Sequence, residues 1–245
     1  NAVDPQSLRG KSTVTSSEQV SGLTDIKACV FDAYGTLFDF NSGVMRCRDD
    51  IGDTAERLSN IWRQKQLQYT WLRSLMGRHA DFWQVTGEAL DFALAAVAID
   101  NPELRQRLMA LYRELDTFAE VTDVLTRLQQ GGMQTAILSN GAPDMLNAGV
   151  TAAGLDTLLD EVLSVEDVGV FKPDPRVYQL AVDRLGVAPA DICFMSSNGW
   201  DAAGAAAFGF RVVWVNRYRQ PAEQLPAQPD FVIDTLSPLP ELLGL

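Results

Sequence analysis

The chain has 245 residues, 47% hydrophobic and 21% charged, values ordinary for one soluble α/β domain that carries an insertion. With 32 acidic against 20 basic residues the net charge is −12, and no basic stripe offsets that field, which excludes nucleic acid as a partner. No run of about 18 apolar residues occurs, so no membrane span is expected, and the three cysteines (Cys29, Cys47, Cys193) form neither a disulfide framework nor a metal-ligand spacing. A reducing cytoplasm is the expected compartment.

Residues 1–25 are rich in Ser, Thr, Gln and Gly, lack an apolar period and lack the h-region of a secretory signal. They read as a flexible leader. The run 26–30 is apolar and β-branched and reads as a buried strand. Further strands are expected at 133–139, 161–164, 192–196, 211–216 and 231–233. Helices are expected at 120–130, 143–153, 174–185 and 201–208. Gly131-Gly132, Gly154, Gly186 and Gly209 fall at the helix ends, where left-handed caps form. This alternation predicts a Rossmann-like α/β core, 26–40 and 119–245, with a mostly parallel sheet and right-handed crossovers.

The stretch 41–118 breaks the alternation, being helical in pattern throughout. It is expected to form a helical cap over the carboxyl edge of the sheet. Within 54–76, Leu58, Ile61, Trp62, Tyr69, Leu72 and Met76 share one helical face, while Leu67 and Trp71 lie opposite, beside Arg63. A helix apolar on two sides is expected to be sandwiched between surfaces. Trp71, Trp83 and Phe92 are expected in the core or at a subunit contact. His79, the only histidine, reads as structural or exposed, and Asp167 and Asp174 as turn or cap residues.

Four segments begin where predicted strands end and should converge above the sheet: Asp32 with Thr36; Ser139-Asn140-Gly141; Lys172-Pro173-Asp174-Pro175; and Ser196-Ser197-Asn198-Gly199-Trp200-Asp201. Asp32-Ala33-Tyr34-Gly35-Thr36-Leu37 resembles the nucleophile motif of the haloacid dehalogenase superfamily, and the four-part order is similar to it across the core. Most of that superfamily are phosphatases with a second aspartate two positions after the first, used to protonate the leaving group. Here that position is Tyr34. Trp62 to Leu67, Tyr69 to Met76 and the Ser196–Asp201 block sharpen the resemblance, which is to the L-2-haloacid dehalogenases.

The resemblance implies that Asp32 attacks C2 of an (S)-2-haloalkanoate, giving an aspartyl ester with inversion, which water then cleaves to an (R)-2-hydroxy acid. Arg63 and Asn140 match the halide-cradle positions, with Trp200 as an aromatic wall. Ser139 and the N–H groups of Ala33 and Tyr34 would hold the substrate carboxylate. Tyr34, Gln64, Leu67, Phe82 and Trp200 match the substrate pocket. Lys172 should lie near Asp32 and keep it ionised, with Tyr178 beside the lysine. Asp201, Asn198 and Ser196 match positions that hold the hydrolytic water, with Asp201 the candidate base and a possible N-cap of its helix. Thr36 and Ser197 read as scaffold for Asp32. Ser196-Ser197 replaces the acidic pair that binds Mg²⁺ in phosphatase relatives, so no metal and no cofactor are expected. A Mg²⁺-dependent phosphatase and a small-anion binding protein are the alternatives. The resemblance, with the two-sided helix bearing Trp62, Trp71 and Leu75, further implies a homodimer.

Overall fold

The computed structural model describes residues 23–245. The expected leader lies outside the described residues as far as residue 22. From Leu23 the chain is packed: Leu23 is buried, and its N–H donates to the carbonyl of Leu242 at 2.8 Å.

The first strand, β1 (Ala28–Phe31), is buried along its whole length. Helices α1 (Phe40–Met45), α2 (Arg48–Ile51), α3 (Ala55–Met76), α4 (Phe82–Ala96) and α5 (Pro102–Leu111) follow before the second strand begins. The remainder alternates: α6 (Val121–Gln130), β2 (Gln134–Ser139), α7 (Pro143–Ala152), β3 (Glu161–Ser164), α8 (Pro175–Leu185), β4 (Ile192–Ser196), α9 (Gly199–Phe208) and β5 (Arg211–Val215), then β6 (Phe231–Ile233) and α10 (Leu239–Leu242). Strand order is β3-β2-β1-β4-β5-β6, and every pairing is parallel. β1 therefore sits between β2 and β4, where the winding reverses. In an open parallel sheet the crevice outside the carboxyl ends at that point is where ligands bind. Asp32, Ser139 and Ser196 all stand there.

Local chemistry explains the helix starts. Asp81 caps α4 by accepting from the Gln84 N–H at 2.8 Å, and Asn101 caps α5 by accepting from Leu104 at 3.0 Å with Pro102 in the first turn. Asp174 caps α8 as expected. Asp201 does not cap α9: the helix starts two residues earlier, its N-cap is Asn198, and the Asp201 side chain turns inward. Gly131 is likewise not a left-handed cap, with φ −77°; Gly132 takes that conformation instead.

The inserted helices pack against one another as well as on the core. α3 buries Ala55, Leu58, Trp62, Gln66 and Thr70, a stripe at three- and four-residue spacing, against α4. The expected stripe is thus partly wrong. Leu72 and Met76 are exposed, while polar Gln66 and Thr70 are buried in their place. Hydrogen bonds make that burial tolerable: Gln66 Nε2 donates to Thr86 Oγ1 (2.8 Å) and to the Tyr112 hydroxyl (2.9 Å), and Trp62 Nε1 donates to the Thr86 carbonyl (2.9 Å). Trp62 lies wholly inside its own chain and offers no subunit contact. Its truncation to alanine is expected to cost about 3–5 kcal/mol. Phe92 is exposed beneath the Lys65 ammonium, and Trp83 stacks under Arg113.

Candidate active site

The chain leaves β1 at Phe31, and Asp32 holds the sheet register for one more residue, its N–H donating to the Met195 carbonyl at 2.9 Å. A tight turn follows. The Ala33 carbonyl accepts from Thr36, Leu37 and Phe38, and Gly35 donates back to the Phe38 carbonyl. Gly35 has φ +87°, and a Cβ there would lie 2.9 Å from Ser197 Oγ, so no side chain fits at this crossing of two loops. The N–H groups of Ala33 and Tyr34 take no part in the turn's backbone bonds and remain at the strand end.

Asp32 is buried yet richly bonded. Oδ1 accepts from the Lys172 ammonium (3.2 Å); Oδ2 accepts from Asn198 Nδ2 (3.0 Å) and from the Thr36 hydroxyl (3.4 Å). Thr36 Oγ1 accepts in turn from the Ser197 N–H (2.8 Å). Lys172 bridges two carboxylates, its other contact being Asp201 Oδ2 at 2.9 Å. The Tyr178 hydroxyl donates to Asp201 Oδ1 (2.8 Å). α9 passes close enough for this because Gly204 has no side chain; a Cβ there would meet the Tyr178 hydroxyl at 2.6 Å. Ser196 Oγ accepts from the Asn198 N–H, shaping the loop that carries Asn198 and Trp200.

Electrostatics follow from this packing. Burial pushes the Asp201 carboxyl above the ordinary aspartate range, and the adjoining Lys172 charge only partly opposes it. Burial acts the other way on Lys172, but the two carboxylates outweigh it and hold the ammonium above its usual value. Tyr178, buried beside Asp201, is raised well above the phenol range and stays a donor. Asp32 thus faces the Lys172 ammonium at 3.2 Å in a buried setting.

The far wall comes from the inserted helices. Arg63 Nη2 donates to Asn198 Oδ1 at 2.7 Å, so the guanidinium reaches the group that holds Asp32. Arg63 and Leu67 line one cavity of about 660 Å³ together with Asn198 and Trp200. Trp71, Phe171, Lys172 and Trp200 line a second of about 500 Å³. The Trp71 and Trp200 rings meet edge to face (5.3 Å). Phe82, at the start of α4, stacks 6.2 Å from Tyr34. Ser139 Oγ accepts from the Gly141 N–H, which leaves its own hydrogen to donate, and Asn140 Oδ1 accepts from the Lys172 N–H, which leaves its amide hydrogens free of that bond.

Most expected site residues therefore converge. Gln64 does not: one position round from Arg63, about 100° of helix rotation turns it to solvent, and it lines neither cavity. Sequence reasoning missed Tyr112, whose ring packs 5.1 Å from Tyr34 and whose hydroxyl receives Gln66. Its signal was available, since Leu104, Leu108 and Tyr112 repeat at four-residue spacing. It also missed Glu166, which accepts from His79 Nε2 (2.8 Å) and from the Phe82 N–H (3.3 Å). Asp167 pairs with Arg184 at the surface.

A Mg²⁺ ion does not fit this donor set. The Lys172 ammonium stands between the two site carboxylates, and among the described residues no three His, Cys, Asp or Glu side chains cluster to hold a metal.

Residues 26–209 match the family profile described as haloacid dehalogenase-like hydrolase. (S)-2-haloacid dehalogenase 1 of Pseudomonas sp. (strain CBS-3) is 50% identical over 219 residues, covering 89% of this chain and 96% of that protein. (S)-2-haloacid dehalogenase 4A of Burkholderia cepacia is 49% identical, covering 89% and 95%. The structure of the L-2-haloacid dehalogenase from Xanthobacter autotrophicus with chloropropionic acid covalently bound superposes with a TM-score of 0.83 at 41% identity, covering 89% of this chain and 98% of that one.

Proposed function

The chain belongs to the haloacid dehalogenase-like hydrolases and, within them, to the (S)-2-haloacid dehalogenases, and from that premise we propose how its own residues carry out hydrolytic dehalogenation of (S)-2-haloalkanoic acids. The observation that carries the mechanism is the Asp32 carboxyl group held by Lys172, Asn198 and Thr36, with Tyr34 where a phosphatase needs a second carboxylate.

An Asp32 carboxylate oxygen attacks C2 from the side opposite the halogen. The new C–O bond forms as the carbon–halogen bond breaks, so the halide leaves with the bonding pair and C2 inverts. No proton is required. Arg63 and the Asn140 amide receive the developing halide, with Trp200 walling the site; each such donor is worth about 10²–10³ in rate. Guanidinium suits this because it stays charged and is weakly hydrated. The Ser139 hydroxyl and the Ala33 and Tyr34 N–H groups hold the substrate carboxylate, while Tyr34, Leu67 and Phe82 enclose its alkyl part.

Water then attacks the Asp32 carbonyl carbon of the ester. Asp201 takes the water's proton, a role its raised pKa favours, while Asn198 and Ser196 orient the water. Collapse breaks the bond from the Asp32 carbon to the ester oxygen; the departing alkoxide takes the proton back from Asp201 and leaves as the (R)-2-hydroxy acid, and Asp32 returns with one oxygen from water, its remaining proton lost to solvent. Lys172 offsets the negative charge that Asp32 and substrate bring together. The residues of 41–118 act as the cap that closes this site. No step draws on a metal, so a chelator should leave halide release unchanged.

The test is a single turnover of (S)-2-chloropropionate with excess enzyme in ¹⁸O-water. Label is expected in Asp32, with the first product unlabelled; label arriving directly in the product overturns the ester route. Asp32→Ala should stop halide release altogether.

We further propose a homodimer in the cytoplasm. Leu72, Leu75 and Met76 form an exposed apolar end on α3, and all three cysteines are buried and unpaired, as a reducing compartment leaves them. Among the described residues no helix is long and apolar enough to cross a membrane. A monomer mass by light scattering at micromolar concentration would overturn the dimer.

A further inference from the structure

Arg217 lies two residues beyond β5 at the same sheet edge as Asp32, yet nothing in the chemistry above uses it. Its side chain is only 7% exposed, costly for a guanidinium that merely decorates a surface. Each end is spent. Nη1 pairs with Glu120 Oε1 at 2.7 Å; Nη2 donates to the Thr36 carbonyl at 2.9 Å; the guanidinium carbon lies 3.7 Å from the centre of the Phe118 ring.

These three partners belong to the two places where the chain crosses between core and inserted helices. The outgoing crossing, 36–39, and the returning one, 115–120, run antiparallel. Phe118 donates to the Leu37 carbonyl (3.0 Å), Asp39 donates to the Asp116 carbonyl (2.8 Å), and Phe38 bridges Thr117. Arg217 holds a carbonyl on one crossing and an aromatic ring and a carboxylate on the other. Glu120 is anchored in turn by accepting from the Leu236 N–H. Thr36 is also the residue whose hydroxyl accepts from Ser197 and contacts Asp32 Oδ2. A displacement of the Thr36 carbonyl therefore becomes a rotation of the nucleophile.

We infer that Arg217 is a positioning residue: it clamps both crossings of the hinge and, through Thr36, aims the Asp32 carboxylate. The inference rests on the dehalogenation reading above. A buried Arg–Glu pair is weak evidence for stability by itself, because desolvation offsets much of the attraction. What sets this pair apart is the second bond to the turn that carries the nucleophile.

The experiment compares wild type, Arg217→Met, Arg217→Lys and a stability control, Leu128→Ala, in the core on α6. Steady-state halide release from (S)-2-chloropropionate gives kcat and KM, and hydrogen exchange reports the amides of 33–38. Arg217→Met is expected to lose about 10²-fold in kcat, the scale of a misaligned near-attack geometry. Its KM should stay near the wild-type value, since Ser139 and Arg63 are untouched, and exchange across 33–38 should rise. Arg217→Lys, which reaches one partner but not both, should fall between, and it serves as the readout if the methionine variant does not fold. Leu128→Ala should lower Tm and keep kcat. An Arg217 variant with wild-type kcat and unchanged exchange at 33–38 overturns the inference, as does a kcat loss that Leu128→Ala reproduces. Failure of the wild-type enzyme to release halide would instead strike the functional reading, and the exchange comparison would still decide the clamp.

Discussion

The two walls of the active site are built by different means. The core wall is made of strand ends: Asp32, Ser139 and Ser196 stand on three neighbouring parallel strands whose registers fix their spacing, while Lys172, Asn198 and Thr36 hold Asp32 and Tyr178 holds Asp201 through hydrogen bonds of 2.8–3.4 Å. The helical wall is made of side chains projecting from α3 and α4, and it reaches the core polar cluster through the Arg63–Asn198 bond. A sheet edge places groups to within the tolerance of its ladder; a helix places them by its phase and by whatever it packs on. Asp32 and Lys172 thus sit on the sheet-edge wall together with Tyr34 and Asn140, while Arg63, Leu67 and Phe82 come from the helical wall.

The most damaging way to probe that division is from the helical side. Arg63→Met removes the one guanidinium that spans the walls. It is expected to lower kcat for (S)-2-chloropropionate by about 10²–10³, the cost of losing one donor to developing charge. Tm should change little, because Arg63 is only partly buried. Halide-release kinetics and calorimetry on the same preparation check both. A large loss of Tm would mean that the helical wall depends on this bond for its fold, and the two walls would not be separable.

The core wall is sharpened by pH. Asp201 must be ionised to take the proton of water, and its carboxyl is raised by burial, so activity should fall on the acid side through a value above that of an ordinary aspartate. Tyr178 donates to the ionised form and so opposes the rise. Tyr178→Phe removes that donor. The acid limb of kcat should therefore move to higher pH, with KM held. A limb that stays in place or moves to lower pH would remove Asp201 from the role of base.

How much of each wall was legible follows the same division. The order of strands, the turn after β1 and the convergence of Asp32, Ser139, Lys172 and Ser196 could be read from alternation and from which residues follow each apolar run. Parallel topology leaves few places for strand ends to go. The helical wall was read less well. Leu72 and Met76 matched the apolar period of α3 but ended in solvent, while Thr70 was buried on its bond to the Leu67 carbonyl and Gln66 on partners, Thr86 and Tyr112, that lie 20 and 46 residues away. Hydropathy cannot register a polar side chain made tolerable by a distant hydroxyl. Gln64 failed for a related reason: adjacency to Arg63 in sequence is a turn of about 100° in space. Arg217 was invisible because its partners, Thr36 and Glu120, come from opposite ends of the insertion.

The mildest perturbation asks whether the helical wall can be shifted without touching chemistry. His79 sits in the loop between α3 and α4, its ring 4.7 Å from that of Phe171, and Nε2 bonded to Glu166 on the core. Glu166 also accepts from the Phe82 N–H, and the Phe82 ring packs on Tyr34, so this pair registers the pocket wall against the sheet. His79→Phe keeps the ring contact and removes only the hydrogen bond, worth about 1 kcal/mol net. KM should rise by roughly fivefold, the equivalent of that energy, while kcat and the pH profile stay as in wild type. If kcat falls with KM unchanged, the contact instead acts on Asp32, and the separation between a wall that binds and a wall that reacts does not hold for this enzyme.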